Sequence, residues 1–222
     1  QRPNINECFA EFKAVDNIFY YALGAIKNVG FDSISQIIEE RKKNGKFESL
    51  DDFIHRVDPK NINKLQLEGL VKAGAFDTLE KNRKKIYENI PNIILASKSA
   101  FENKVNNQIN LFDDKNVIEK NKFESTDKND WEFDEKLSNE FNAIGFFISD
   151  HPINEYKEIF DIYKIQNFNS FMNSSNVEAI LAATIMKIQE KKTRDGNPFA
   201  IVKFSDLGGV FELFIFSEIL KD

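Results

Sequence analysis

Twice in the first part of the chain an apolar helical pattern runs into a tight turn and out into a second helix, and this repeat limits the fold more than any other feature. In the first copy residues 21–26, Tyr-Ala-Leu-Gly-Ala-Ile, are expected to be helical and lead into Lys27-Asn28-Val29-Gly30. Asp32 is the expected N-cap of a helix through residue 43, in which Ile34, Ile37 and Ile38 fall on one face and Gly45 marks the stop. In the second copy residues 63–72 place Leu65, Leu67, Leu70 and Val71 in a helical pattern, and Ala73-Gly74-Ala75-Phe76 makes the turn. Asp77-Thr78-Leu79-Glu80 then has the form of a capping box before a helix over residues 81–89.

A glycine-bearing turn that opens a helix exposes several backbone N–H groups at once, and together these bind a phosphate oxygen. Glycine suits such a turn because a side chain would block close approach and because the turn calls for positive φ. The tandem resembles the paired helix-hairpin-helix module that grips duplex DNA without reading its sequence. That resemblance implies DNA contacts at Lys27, Asn28, Val29 and Gly30, and at Lys72, Ala73, Gly74 and Ala75. The motif usually reads glycine, apolar, glycine. Here Asn28 takes the first glycine position, and Asn is the next-best residue for a left-handed turn. In the second hairpin Phe76 replaces a glycine, so that copy is expected to be chiefly structural. Lys60, Lys64, Arg83, Lys84 and Lys85 could supply charge toward a DNA backbone, though each alone reads as a solvated helix face.

The remaining segments follow from their periods. Residues 9–15 and 18–21 are aromatic and β-branched runs around Asp16-Asn17, the pattern of a hairpin. Pro91 opens a helix carrying Ile93, Ile94, Ala96, Ala100, Phe101 and Val105, which leads to Gln108-Ile109-Asn110-Leu111-Phe112. In that short peptide Leu111 and Phe112 have the form of apolar anchors and Gln108 of a register-fixing amide; Ile109 and Phe112 equally suit a helix end tucked into a core. Residues 113–130 are polar and aperiodic, a linker pattern. Residues 131–148 return to a helical stripe of Leu137, Phe141, Ile144 and Ile148. Asp150-His151-Pro152 breaks it, with His151 a cap or turn residue, and Tyr156, Ile159, Phe160 and Tyr163 form the next stripe. From Val177 the period becomes two: strands are expected at 177–189, 199–204 and 210–216, followed by the first turn of a helix from Ser217. Fold class is therefore mainly α with a β portion: a tandem helix-hairpin-helix domain, a helical connector and three strands resembling the opening of an OB-fold. The loop cations Lys191, Lys192 and Arg194 would face a single strand, though a charged hairpin loop is usually only solvated.

Charge is uneven. Residues 106–176 carry 14 Asp and Glu against 7 Lys and Arg, which leaves room for a mildly cationic surface on the first part despite a net charge of -6. One cysteine, Cys8, excludes a disulfide framework or multi-cysteine zinc site, and His55 and His151 lie too far apart in sequence to suggest a metal pair. No stretch approaches the ~20 apolar residues of a membrane span, so a cytoplasmic protein without membrane partner is expected. The start at Gln1 and the last strand pattern suggest an excised piece of a longer chain.

In this order the hairpins, the Gln108–Phe112 peptide, the phrase Gly145-Phe146-Phe147-Ile148-Ser149-Asp150-His151-Pro152 and the OB-like strands resemble the C-terminal part of the bacterial C-family replicative DNA polymerases. Tyr21-Ala22-Leu23-Gly24-Ala25-Ile26-Lys27, Leu50-Asp51-Asp52-Phe53 and Lys72-Ala73-Gly74-Ala75-Phe76-Asp77 carry the likeness as well. It implies the end of a fingers domain over 1–20, a duplex-binding domain over 21–107 and a sliding-clamp-binding peptide over 108–112. A linker over 113–130, a helical connector over 131–176 and part of an OB-fold over 177–222 complete the order. The implied partners are the sliding clamp, double-stranded DNA behind the primer end and single-stranded template. Polymerisation with two Mg ions would belong to carboxylates upstream of Gln1, since Asp51-Asp52 and Asp113-Asp114 do not form the needed cluster; this chain is expected to bind without catalysing and without a cofactor. The alternative class is an accessory protein of repair, or of a nuclease complex, built from the same parts. A tRNA-binding module ranks last because it leaves the hairpins and Gln108–Phe112 unexplained.

Overall fold

The computed structural model describes residues 1–105 and 129–219. Gln108, Ile109, Leu111 and Phe112 lie outside the described residues, as does most of the polar stretch that follows them. The chain divides into two compact units, Gln1–Ser149 and Asp150–Asp222, so the residues 131–176 fall in both.

The first unit begins with the hairpin the sequence announces: β1 (Lys13–Val15) pairs antiparallel with β2 (Ile18–Tyr20). Asp16 and Asn17 turn it at φ 51° and 62°, the left-handed pair that a two-residue hairpin needs. The following segment corrects one expectation. Residues 21–26 are not an α-helix; only a single 3-10 turn, Leu23–Ala25, forms. The Leu23 and Gly24 N–H groups instead donate to the Phe9 and Ala10 carbonyls at 2.8 and 3.0 Å, Phe9 and Ala22 forming an isolated parallel bridge, and a Cβ on Gly24 would stand 2.7 Å from the Ala10 oxygen. Tertiary pairing thus outweighs helical propensity here.

Five helices follow: α1 (Phe31–Asn44), α2 (Leu50–Arg56), α3 (Lys64–Lys72), α4 (Arg83–Glu88) and α5 (Ile90–Val105). Helix α1 starts one residue before Asp32, with Gly30 and not Asp32 at its N-cap, and Gly45 ends it at φ 85°. Ser49 and Asn63 cap α2 and α3 by accepting from the N–H three residues on. The expected capping box is resolved differently: α4 begins at Arg83, Asn82 is its cap, and Asp77 is engaged by the Arg83 side chain. The helices close on a core of Ile34, Ile37, Leu67, Leu70, Ile86, Ile90 and Ile93, centred on Phe47, Phe53 and Phe76. Those three rings meet edge to face at 5.1 Å. Buried Arg41 on α1 ties the N-terminal segment down by donating to the Ile5 and Cys8 carbonyls. Helix α6 (Phe133–Ile144) packs on α3 and ends at Gly145 with φ 94°.

In the second unit a 3-10 turn (Pro152–Tyr156) and two short helices, α7 (Lys157–Phe160) and α8 (Phe168–Met172), precede a three-stranded antiparallel sheet. Its strands are β3 (Thr184–Lys192), β4 (Pro198–Asp206) and β5 (Gly209–Phe216), a meander that matches the opening of an OB-like fold. The first strand starts later than its alternating pattern predicts. The stripe Tyr156, Ile159 and Tyr163 is also corrected: all three side chains are exposed, because the helix there is only one turn long. Among the described residues no helix is long and apolar enough to cross a membrane.

Candidate nucleic-acid interface

The first hairpin is built so that its backbone faces outward. Asn28 takes φ 66°, the left-handed conformation that its side chain tolerates, and turns the chain into α1. Val29 is buried beneath the turn, while Lys27, Asn28 and Gly30 are exposed. Lys27 N–H donates to the Ala143 carbonyl at 2.9 Å, so the end of α6 braces the hairpin from behind. Gly69 on α3 is what lets the turn settle: a Cβ there would stand 2.6 Å from the Lys27 oxygen and 3.2 Å from Val29.

At Gly30 the structure corrects one of the two reasons expected for glycine, the positive φ. Its φ is -78° and ψ 131°, which any residue adopts, and an added Cβ would meet nothing closer than Ser33 Oγ at 3.7 Å. The fold does not require glycine there. As N-cap it offers no side-chain hydrogen bond, and the N–H groups of Gly30, Phe31, Asp32 and Ser33 meet no protein acceptor among the described residues. These are the orphan donors of a helix N-terminus, and they add to the positive end of the α1 dipole. Exposed Lys27 stands in the same turn, and Asp32 in the first turn of α1 works against it.

The second hairpin turns inward. Ala73, Gly74 and Ala75 are buried, and their N–H groups donate to the Gly69, Val71 and Leu70 carbonyls at 2.9–3.0 Å. The Ala75 carbonyl accepts from Ile5 N–H at 2.8 Å. Arg83 lies over Gly74, donating to Asp77 at 2.8 and 2.6 Å and to the Lys72 carbonyl at 3.3 Å. Burial opposes the Arg83 charge, but the two bonds to Asp77 and the nearby Glu140 outweigh it and hold the guanidinium more firmly protonated than usual. The Lys72 ammonium sits over the Tyr87 ring at 5.1 Å. The donors expected at Ala73, Gly74 and Ala75 are therefore engaged inside the protein, in keeping with the structural part expected of this copy.

Behind both hairpins lies a feature that the sequence reading passed over. Buried Glu140 on α6 accepts from Ile148 N–H (3.3 Å), Ser149 N–H (2.9 Å) and Ser149 Oγ (2.7 Å), and its other oxygen is 3.7 Å from Arg83 Nη1. Only its place inside an apolar helical stripe, one residue before Phe141, could have flagged it. Lys191, Lys192 and Arg194 lie exposed at the β3–β4 connection. His151 caps the 3-10 turn, as expected, with Nδ1 accepting from Ile153 N–H and Nε2 against Ser205 Oγ at 3.0 Å. Among the described residues no group of three His, Cys, Asp or Glu side chains is placed to hold a metal.

A family model described as a helix-hairpin-helix motif matches residues 1–86, which include both turns. DNA polymerase III subunit alpha of Borreliella burgdorferi is 33% identical over 98% of this chain and 19% of its own length. The proteins of that name from Rickettsia prowazekii (37%, over 93% of this chain and 18% of their length) and Buchnera aphidicola (33%, over 99% and 19%) align similarly. The chain spans about a fifth of the length of these curated relatives.

Proposed function

The chain is a homologue of a segment of DNA polymerase III subunit alpha, and we propose that it serves as the duplex-binding and clamp-tethering part of such a polymerase. The observation that carries the DNA half is Gly30: a glycine the backbone does not need, at a helix N-terminus whose N–H groups are open. What glycine provides there is access, letting a phosphate oxygen reach the backbone donors. Lys27 adds long-range attraction. The contact engages the phosphate backbone alone, so it carries no base specificity and lets the protein follow DNA of any sequence.

The clamp half rests on the sequence Gln108-Ile109-Asn110-Leu111-Phe112, with Leu111 and Phe112 as anchors and Gln108 and Ile109 beside them. Two weak contacts on one chain, one to a ring around DNA and one to the duplex, raise the effective concentration of the parent polymerase at the primer end. Polymerisation itself, with its two Mg ions, is assigned to other parts of the parent, and no metal to this chain. At the end of β3 and in the turn after it, Lys191, Lys192 and Arg194 supply a contact to single-stranded template.

Gly30→Val tests the duplex contact, because the valine meets no clash: binding to a 20-base-pair duplex should fall at least ten-fold while stability falls by no more than the ~1 kcal/mol of a poorer N-cap. Leu111→Ala with Phe112→Ala tests the other half. Burial of those side chains is worth about 3 to 5 kcal/mol, so micromolar binding to a bacterial sliding clamp should vanish. Duplex affinity unmoved by Gly30→Val, or clamp binding unmoved by the double change, would remove that half of the proposal.

A further inference from the structure

We infer that Phe31 reads the sugar of the duplex held at the first hairpin, packing its ring against deoxyribose so that the site prefers DNA to an RNA–DNA hybrid. The inference rests on the reading of the Gly30 turn as a phosphate contact and extends it from the phosphate to the sugar beside it.

Phe31 is the first residue of α1, directly after Gly30, and its side chain is 53% exposed. Neither the helix nor the core asks for a ring there. Proline and acidic residues favour a first helical turn, through a preset φ and the helix dipole. The apolar contact that fixes how a chain enters a helix comes from the residue before the cap and the fourth residue of the helix, here Val29 and Ile34. Both of these are already buried. Phe12 and Phe19, exposed to a similar degree, stack on each other at 5.6 Å, whereas Phe31 meets no other ring among the described residues.

The ring is nevertheless held in one place. A Cβ on Gly24 would stand 3.2 Å from Phe31 Cδ2 and 3.5 Å from Phe31 Cα, so this glycine opens the seat that the inner edge of the ring occupies. Side chains of a helix lean toward its N-terminus, which brings Phe31 toward the end where the Gly30, Phe31, Asp32 and Ser33 N–H groups are open. Lys27 and Asn28 are exposed in the turn just before it. Donors for an anion thus lie beside a fixed apolar surface.

A ligand that satisfies both carries a negative oxygen with an apolar group a few bonds away. In duplex DNA that group is the deoxyribose, whose C2′ carries only hydrogen. In RNA the same carbon carries a hydroxyl, which the ring would strip of water without giving a hydrogen bond in return. A free phosphate offers nothing to the ring, and an apolar protein surface would cover the ring but leave the helix donors unsatisfied.

The test uses the whole chain with a 20-base-pair DNA duplex and an RNA–DNA hybrid of the same sequence. Wild type should bind the DNA duplex more tightly. Phe31→Ala should weaken DNA binding about five- to ten-fold and hybrid binding much less, so that the preference shrinks, and Phe31→Leu, which keeps an apolar side chain, should retain most of it. Any preference that comes from groove shape survives in the alanine variant, so the change between the two proteins isolates the sugar. Because the ring carries no charge, Phe31→Ala should leave the slope of affinity against salt unchanged, whereas Lys27→Gln should flatten it. Equal loss on both duplexes would give Phe31 a part in holding the turn, and binding unchanged by Phe31→Ala would give it none; either result overturns the sugar contact, while a loss in Gly30→Val would leave the duplex reading standing. Failure of the wild type to bind duplex DNA would overturn that reading and this inference with it. Sedimentation showing a wild-type dimer that Phe31→Ala dissociates would also overturn the inference, by assigning the ring to a second copy.

Discussion

The Arg83 guanidinium carbon lies 2.6 Å from where a Cβ on Gly74 would have to be. Gly74 also holds φ +76°, so two independent constraints reserve the position for glycine. Gly74→Ala must adopt a left-handed backbone and push a buried, doubly bonded arginine aside. The expected loss is at least ~2 kcal/mol of stability, visible as a lower denaturant midpoint. Duplex affinity of the molecules still folded should not change, since this hairpin has no open donors.

Asp32 occupies the first turn of α1, exposed, where a carboxylate favours the helix but repels a phosphate seated on the same N-terminus. Asp32→Asn should therefore bind duplex more tightly while losing a little stability. Each effect is about 0.3–1 kcal/mol, or roughly two- to five-fold in affinity at low salt. A titration at two salt concentrations separates the two, because the affinity gain shrinks as salt rises.

Asn28 takes positive φ in the outward hairpin. Asn28→Gly meets the same demand with no Cβ, and should leave the melting temperature and duplex binding close to wild type. Asn28→Val puts a β-branched residue in that conformation at a cost of about 1–2 kcal/mol, and its misplaced turn should bind duplex more weakly. Equal behaviour of the two variants would show that the turn's geometry does not matter for binding.

These positions show where the sequence was legible. Asn28 could be read because a left-handed turn accepts few residues, and Asp16-Asn17 for the same reason. The helices capped by Asn63 and ended by Gly45 carried local signals, and the three strands showed their period. Residues 21–26 misled because Phe9 and Ala10 capture their N–H groups from a distance that local pattern does not see. The inward orientation of the second hairpin was hidden for a like reason: it depends on Arg83 and Ile5 meeting it in space. Gly30 was singled out partly for a positive φ that it does not adopt; in this turn Asn28 carries the left-handed conformation.

Glu140 joins the end of α6 to the segment at Ser149 with three hydrogen bonds on one oxygen. Glu140→Ala would leave half-buried donors at Ile148 and Ser149 without this acceptor and should cost ~2 kcal/mol, whereas Glu140→Gln keeps an acceptor and should cost about 1 kcal/mol. Because Lys27 N–H donates to Ala143 on the same helix, the alanine variant should also speed hydrogen exchange at the Lys27 amide. Unchanged exchange there would mean that the hairpin is braced without help from α6.

His151 gives the second unit a pH dependence whose sign can be worked out. Its Nδ1 accepts from Ile153 N–H, which requires that nitrogen to be unprotonated, and Nε2 faces Ser205 Oγ. Burial lowers the pKa below its ordinary 6.5, with Asp206 and Asp150 only partly opposing it. A proton therefore binds the unfolded chain more readily than the folded one, so stability rises with pH across this window. The contribution is complete above ~6.5, declines as the pH falls below that value, and is gone once the pH is below the folded-state pKa. Urea titrations of wild type and His151→Gln between pH 5 and 8 should show a slope in the first that is reduced in the second. Parallel curves would mean that the imidazole titrates alike in both states and that its cap on the Pro152–Tyr156 turn carries no proton linkage.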